Sequence, residues 1–266
     1  MILQASAATD VGMRRRVNED RYALVPDFGL YLVADGMGGH TAGQLASQLA
    51  AEGALHAVQS LEAESLSLAE KLNEIVAAAN REIFNMAKTH VEYSGMGTTL
   101  VAMLASAGKI AVAHVGDSRA YLIRRGAIRP LTKDHSLVGE LLRRQEITPE
   151  AALEHPHRHV LTRALGVRPN VECDVLEMTP EDGDTVAMFS DGLTNNVSDD
   201  EIALAISSTE DLEEACNGLV TFANDRGGDD NITVALVRCE KAGARVGARG
   251  RRRCPAAASG VVSEGA

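Results

Sequence analysis

Short apolar runs rich in β-branched residues alternate along this chain with longer stretches in which apolar positions recur every three or four residues. The runs LYLVADG (30–36), TTLVAMLAS (98–106), KIAVAHVGD (109–117), RAYLIRRG (119–126), DTVAMFSDG (184–192) and NITVALVR (231–238) predict strands, with a shorter one from Tyr22 to Val25. The linkers joining the second, third and fourth runs are too short for a parallel crossover, so these three are expected to be antiparallel neighbours. Leu68, Leu72, Ile75, Val76, Ala79, Ile83 and Met86 keep helical spacing, as do Leu212, Ala215, Cys216, Leu219, Val220 and Ala223. A third, Ala-rich helix is expected over 41–58, with Thr41 as its cap. Antiparallel strands with helices laid on them make an α+β layered fold, strands inside and helices outside.

Composition narrows the class. The chain has 266 residues, 3% aromatics and no Trp, so its core must be built from Ala, Val, Leu and Ile. A net charge of −11 repels nucleic acid and anionic membrane alike, and no run approaches the length of a membrane span. The N-terminal basic residues follow the apolar stretch, the reverse of a secretory signal, and Cys173, Cys216, Cys239 and Cys254 form no paired motif. A cytoplasmic protein with reduced thiols is expected, and nothing suggests an obligate assembly, so a monomer is expected. Residues 1–240 contain no long linker or repeat and read as one domain. The tail 241–266 carries six basic residues against one acidic among Gly, Ala, Ser and Pro; it reads as a disordered, solvated extension, or one that meets an acidic surface.

The candidate chemistry lies where strands end. Three apolar strands run into Asp35-Gly36, Gly116-Asp117-Ser118 and Asp191-Gly192. One Asp-Gly is ordinarily a turn. Three in one chain suggest a rigid sheet presenting carboxylates at one rim, the way an oxygen-rich site for Mg²⁺ or Mn²⁺ is built. Asn18-Glu19-Asp20 and Asp229-Asp230-Asn231 flank further strands. Were these groups to converge, their mutual repulsion would demand cations, and two bridged ions would activate a water and clamp a phosphoryl group. Spacing leaves that convergence open.

The strings RRVNED (15–20), VADGMGGH (33–40), GMGTTL (95–100), VGDSRAY (115–121), HRHVLTRALG (157–166), SDGL (190–193) and DDNITV (229–234), in this order, resemble the metal-dependent protein phosphatases, the PPM or type 2C serine/threonine class, and its bacterial branch in particular. The resemblance spans nearly all of residues 5–238. It implies an α-β-β-α sandwich with two central antiparallel sheets and a two-metal site at one end of them. It further implies that Asp35 bridges both ions with the Gly36 carbonyl as a ligand, that Asp191 and Asp230 complete the first ion's shell, and that Glu19 serves the second. Asp20 would hold metal-bound waters, Asp117 with Asp191 would bind a third ion, and Arg15 would grip the substrate phosphate. The implied reaction is direct hydrolysis of phosphoserine and phosphothreonine in proteins, reversing Ser/Thr kinases, by a metal-activated water.

Met37 stands where many eukaryotic relatives have a proton-donating His, so a metal-bound water becomes the expected acid. His40 reads as a capping or structural histidine and His114 as a satisfied core histidine. The HPHRH run (155–159) could place three imidazoles on one face of an extended segment for zinc; within the expected flap, 136–168, Arg158 and Arg163 are more telling than these histidines. Two other functions compete: a pseudo-phosphatase that binds phosphoproteins without turnover, which the retained Asp35, Asp191 and Asp230 argue against, and a hydrolase of small phosphoesters, which the residues do not separate from a protein phosphatase.

Overall fold

Parity along the apolar strands decides the architecture. In the computed structural model, which describes residues 1–39, 41–61 and 66–240, Leu30, Leu32 and Ala34 of strand β3 (Leu30–Met37) pack toward helices while Tyr31 and Val33 point the other way, into a second sheet. A strand apolar on both parities must be covered on both faces.

One sheet has the order β1 (Ile2–Asp10), β11 (Ile232–Glu240), β10 (Thr185–Phe189), β7 (Arg119–Arg124), β8 (Ala127–Pro130). The other has β2 (Asp20–Val25), β3, β5 (Leu100–Ser106), β6 (Lys109–Val115), β9 (Asp174–Met178), with the short β4 (Gly97–Thr98) on β3. Every pairing is antiparallel. Tyr31, Val33, Val101, Met103 and Val112 meet Leu122, Val186, Met188 and Val237 between the sheets. Helices α1 (Thr41–Ser60) and α2 (Leu68–Thr89) cover one outer face, while α5 (Asp191–Thr194), α6 (Asp199–Ser207) and α7 (Leu212–Asp225) cover the other. The result is the expected four-layer α-β-β-α sandwich. Two short helices, α3 (Leu137–Arg143) and α4 (Pro149–Leu153), lie in the segment expected to form the flap.

Two expectations change. The runs 98–106, 109–117 and 119–126 are not three neighbours in one sheet: β5 pairs with β6, but β7 pairs with β10 and β8 in the opposite sheet. A linker too short for a parallel crossover is still long enough to step between two stacked sheets, and Gly116, at φ +104°, makes the step. Thr41 is the first residue of α1 rather than the flanking cap, and the position before it, His40, lies outside the described residues. The tail 241–266 lies outside them as well. Among the described residues no helix is long and apolar enough to cross a membrane.

Candidate active site

Strand register brings the acidic residues to a common rim. Asp20 and Asp35 are direct cross-strand partners in β2 and β3. In the other sheet Phe189, the last residue of β10, lies between Arg119 of β7 and Val234 of β11. Asp191 just after β10, Asp117 just before β7 and Asp230 just before β11 therefore emerge at one end. A cavity of about 770 Å³ opens there, and its lining includes Arg15, Glu19, Asp35, Gly36, Asp117, Asp191 and Asp230. Asp20 lies behind it, 1% exposed.

The electrostatics of this rim are unbalanced. Burial, reinforced by Asp20, Asp191, Asp117 and Asp230, pushes the Asp35 carboxyl well above the usual range. Burial raises Asp20 to about 7, with Asp191 and Asp230 adding to the rise and hydroxyls of Thr233 and Ser190 opposing it. Asp117 rises to about 7 through burial and then Asp191, and Asp191 rises through burial and then Asp230. Arg15 answers only part of this charge, its Nη2 donating to Asp230 Oδ2 at 2.7 Å.

The comparisons with known proteins agree with this geometry. The sequence profile described as "Protein phosphatase 2C" matches residues 14–231. The chain belongs to the protein phosphatase 2C family. It is 41% identical over 242 residues to the serine/threonine phosphatase stp of Listeria monocytogenes, covering 88% of this chain and 95% of that one. It is similar in structure to the Mycobacterium tuberculosis serine/threonine phosphatase PstP/Ppp, with a TM-score of 0.82, 36% identity, and coverage of 91% of this chain and 100% of that one. The PstP catalytic domain solved with two manganese ions superposes with a TM-score of 0.80 at 35% identity, covering 90% of this chain and 99% of that one.

The residues of this phosphatase suit divalent cations. Asp20 Oδ1 and Asp191 Oδ1 are buried with no hydrogen-bond partner, an unstable arrangement unless a cation or its water supplies one. Every candidate donor at the rim is a carboxylate or carbonyl oxygen, as Mn²⁺ and Mg²⁺ prefer. The backbones are also drawn close: a Cβ on Gly36 would collide with the Gly43 and Glu19 carbonyls, and one on Gly43 with the Glu19 carboxylate. Gly43, in α1, has no acidic neighbour in sequence to mark it.

Several positioning residues escaped the sequence reading. Asp20 Oδ2 accepts from Ser190 Oγ and Thr233 Oγ1, both at 2.7 Å. The Asp35 N–H donates to Thr99 Oγ1, and the Asp35 carbonyl accepts from the Thr98 hydroxyl at 2.8 Å. Thr99 in turn shares a 2.7 Å hydrogen bond with Ser118, tying the Asp35 strand to the Asp117 turn. Asn231 accepts from the Glu19 N–H and donates to the carbonyls of Val11 and Val17, fixing the loop that carries Arg15. In sequence these hydroxyls and amides look like ordinary strand and turn residues.

The 136–168 segment forms the opposite wall of the cleft through Leu153, Arg158, His159 and Leu161. Of the two arginines singled out there, only Arg158 lines the cleft; Arg163 turns away to Asp174, at 2.8 Å. His159 does line it. The HPHRH run is not extended: successive turn bonds, Arg158 N to His155 O and Val160 N to His157 O, break the alternation on which the zinc reading depended. His114 is a satisfied core histidine, its Nε2 2.8 Å from the Lys133 carbonyl and its ring stacked on His135 at 4.5 Å. Among the described residues, His114, His135 and Asp174 are a group whose ligand atoms lie within 4.8 Å of one another. Arg163 already supplies the cation there.

Proposed function

We propose that this phosphatase hydrolyses phosphoserine and phosphothreonine in proteins with two divalent cations, Mn²⁺ or Mg²⁺, at the carboxylate rim, and that Asp117 with Asp191 adds a third. The observation that carries this reading is the pair of partnerless buried oxygens, Asp20 Oδ1 and Asp191 Oδ1, within a carboxylate cluster that Arg15 only partly neutralises. Asp35, Asp191 and Asp230 would hold one ion and Asp35 and Glu19 the other, with the Gly36 carbonyl as a ligand of one of them. When bound, such ions lower the pKa of a water and neutralise the oxygens of a phosphoryl group.

The chain's own residues do the rest. Arg15 sits at the mouth of the cavity, half exposed, and its planar fork suits two phosphate oxygens once it exchanges Asp230 for substrate. Asp20, oriented by Ser190 and Thr233, keeps one oxygen free to accept a proton from water. Met37 has no proton to give, so the leaving alkoxide takes one from water in the cleft. Residues 1–240 would form the catalytic domain, acting as a monomer in the cytoplasm on proteins phosphorylated by Ser/Thr kinases.

The test is phosphate release from a phosphothreonine peptide with EDTA or Mn²⁺, beside an Asp191→Ala variant. Mn²⁺-dependent turnover that the variant lacks is expected. A wild-type protein that binds Mn²⁺ and the phosphopeptide without turnover would instead be a phosphoprotein-binding module.

A further inference from the structure

Strand β2 is an edge of its sheet; Asp20 is its first residue, and Glu19 comes just before it. The Gly36 N–H donates to the Glu19 carbonyl at 3.1 Å. In an antiparallel pair the carbonyls on either side, those of Asn18 and Asp20, must then face away from β3 toward the open edge. Both residues are buried, and that edge offers their carbonyls no strand. Arg21 stands in for one. Its Nη1 donates to the Asp20 carbonyl at 2.8 Å and to the Asn18 carbonyl at 3.3 Å. Every main-chain polar group from the Asn18 carbonyl to the Asp20 carbonyl is thereby met, because the Glu19 N–H donates to Asn231 and the Asp20 N–H to Asn18 Oδ1 at 3.1 Å.

Packing alone does not explain an arginine here. Arg21 is 3% exposed, and its Nε is buried without a hydrogen-bond partner. A buried guanidinium carries a desolvation penalty, whereas Ala23 and Val25, on the same face of β2, enter the core beneath the helices without one. We propose that Arg21 is a positioning residue for the second of the two ions. The inference rests on the two-ion reading above. Taking the carbonyls on both sides of Glu19 fixes the two peptide planes around that residue. With them it fixes the direction in which the Glu19 carboxylate, packed beside Gly43, enters the cleft wall. The first ion relies on Asp35, Asp191 and Asp230, and the bonds of Arg21 go to none of these. Loss of Arg21 therefore weakens one ion and spares the other, a selectivity that a general contribution to stability lacks.

The experiment titrates metal-free wild-type protein, Arg21→Met and Arg21→Lys with Mn²⁺. It follows the heat of binding and the electron paramagnetic resonance spectrum, in which a carboxylate-bridged pair differs from a lone ion. Wild-type protein is expected to bind at least two ions and to show the paired signal. Arg21→Met should bind the first ion as wild type does and the second about 10- to 100-fold more weakly, as loss of a partner that orients a ligand does. Its lone-ion signal should persist to correspondingly higher Mn²⁺. Arg21→Lys keeps the charge and can still reach one of the two carbonyls, so it should fall between the two; it carries the test if thermal melts in EDTA show that Arg21→Met does not fold. An unchanged second-ion affinity in a folded variant, an equal loss at both ions, or failure of both variants to fold would each overturn the role, the last by making Arg21 a structural residue. Wild-type protein that takes up one ion or none would overturn the two-ion reading itself, a result distinct from variants that match a two-ion wild type.

Discussion

The carboxylate rim and the His114–His135 pair flank the same turn, Gly116 to Ser118, and handle charge in opposite ways. At the rim, Asp20 is buried and Asp35, Asp117 and Asp191 half-buried, all four are crowded and pushed up, and two of their oxygens have no partner. Around the histidines every demand is met internally. The Gly116 N–H lies 3.3 Å from His135 Nδ1, Asp174 lies 3.5 Å from its Nε2, and Arg163 lies 3.3 Å from that same Nε2 and 2.8 Å from Asp174. The His135 backbone N–H also donates to the Gly116 carbonyl at 2.9 Å. One cluster is closed and structural; the other is left incomplete, which is the deficit the proposed cations would answer.

The contrast breaks first at Asp35. Asp35→Asn should lower phosphatase activity by ~10³-fold, because the carboxylate proposed to hold both cations is gone and with it their electrostatic stabilisation of the reacting group. The same substitution should raise the melting temperature of EDTA-treated protein by about 2–4 °C, since one of several repelling buried charges has been removed. Calorimetry showing a fall in the metal-free protein would make Asp35 a structural residue instead. Next is Thr233→Val, nearly isosteric and fully buried, which takes one of two hydroxyls from Asp20. It should reduce kcat about 10- to 100-fold and shift the Mn²⁺ midpoint upward, as loss of an orienting partner does; unchanged Mn²⁺ dependence would remove Asp20 from the site.

The smallest effect lies in the closed cluster. Burial, helped by His114 and Arg163, lowers His135 from 6.5 to about 4. Between those values the unfolded chain binds a proton that the folded chain refuses, so stability falls as pH drops from about 6.5 toward 4. His135→Gln should flatten that slope in thermal melts, and an unaltered slope would place the acid sensitivity elsewhere.

The carboxylates were legible because a charged residue at the end of an apolar strand is conspicuous in any sequence. The layers were legible too, since β3, β5 and β10 are apolar on both parities. What stayed hidden depends on partners rather than on residue type. Strand β1 holds Gln4 and Ser6 and is only partly buried; it is a strand because all nine of its residues pair with β11. Strand β9 is a half-exposed edge. Thr99, Ser118, Ser190 and Thr233 gain their roles only when two sheets meet, and the length of the Gly116–Ser118 linker does not say which sheet the chain enters next.

Asn231 joins the two ends of this design in time as well as in space. It fastens Glu19 and the loop through Val17 to the head of β11, more than two hundred residues later in synthesis. A nascent chain that has made β2, β3, β5, β6 and β7 already possesses Asp20, Asp35 and Asp117 and most of one sheet, yet has neither Asp230 nor the amide that holds Glu19 in place. On the roles proposed for Asp230 and Glu19, dephosphorylating capacity arrives with β11, and a copy still lacking that strand erases no phosphate marks.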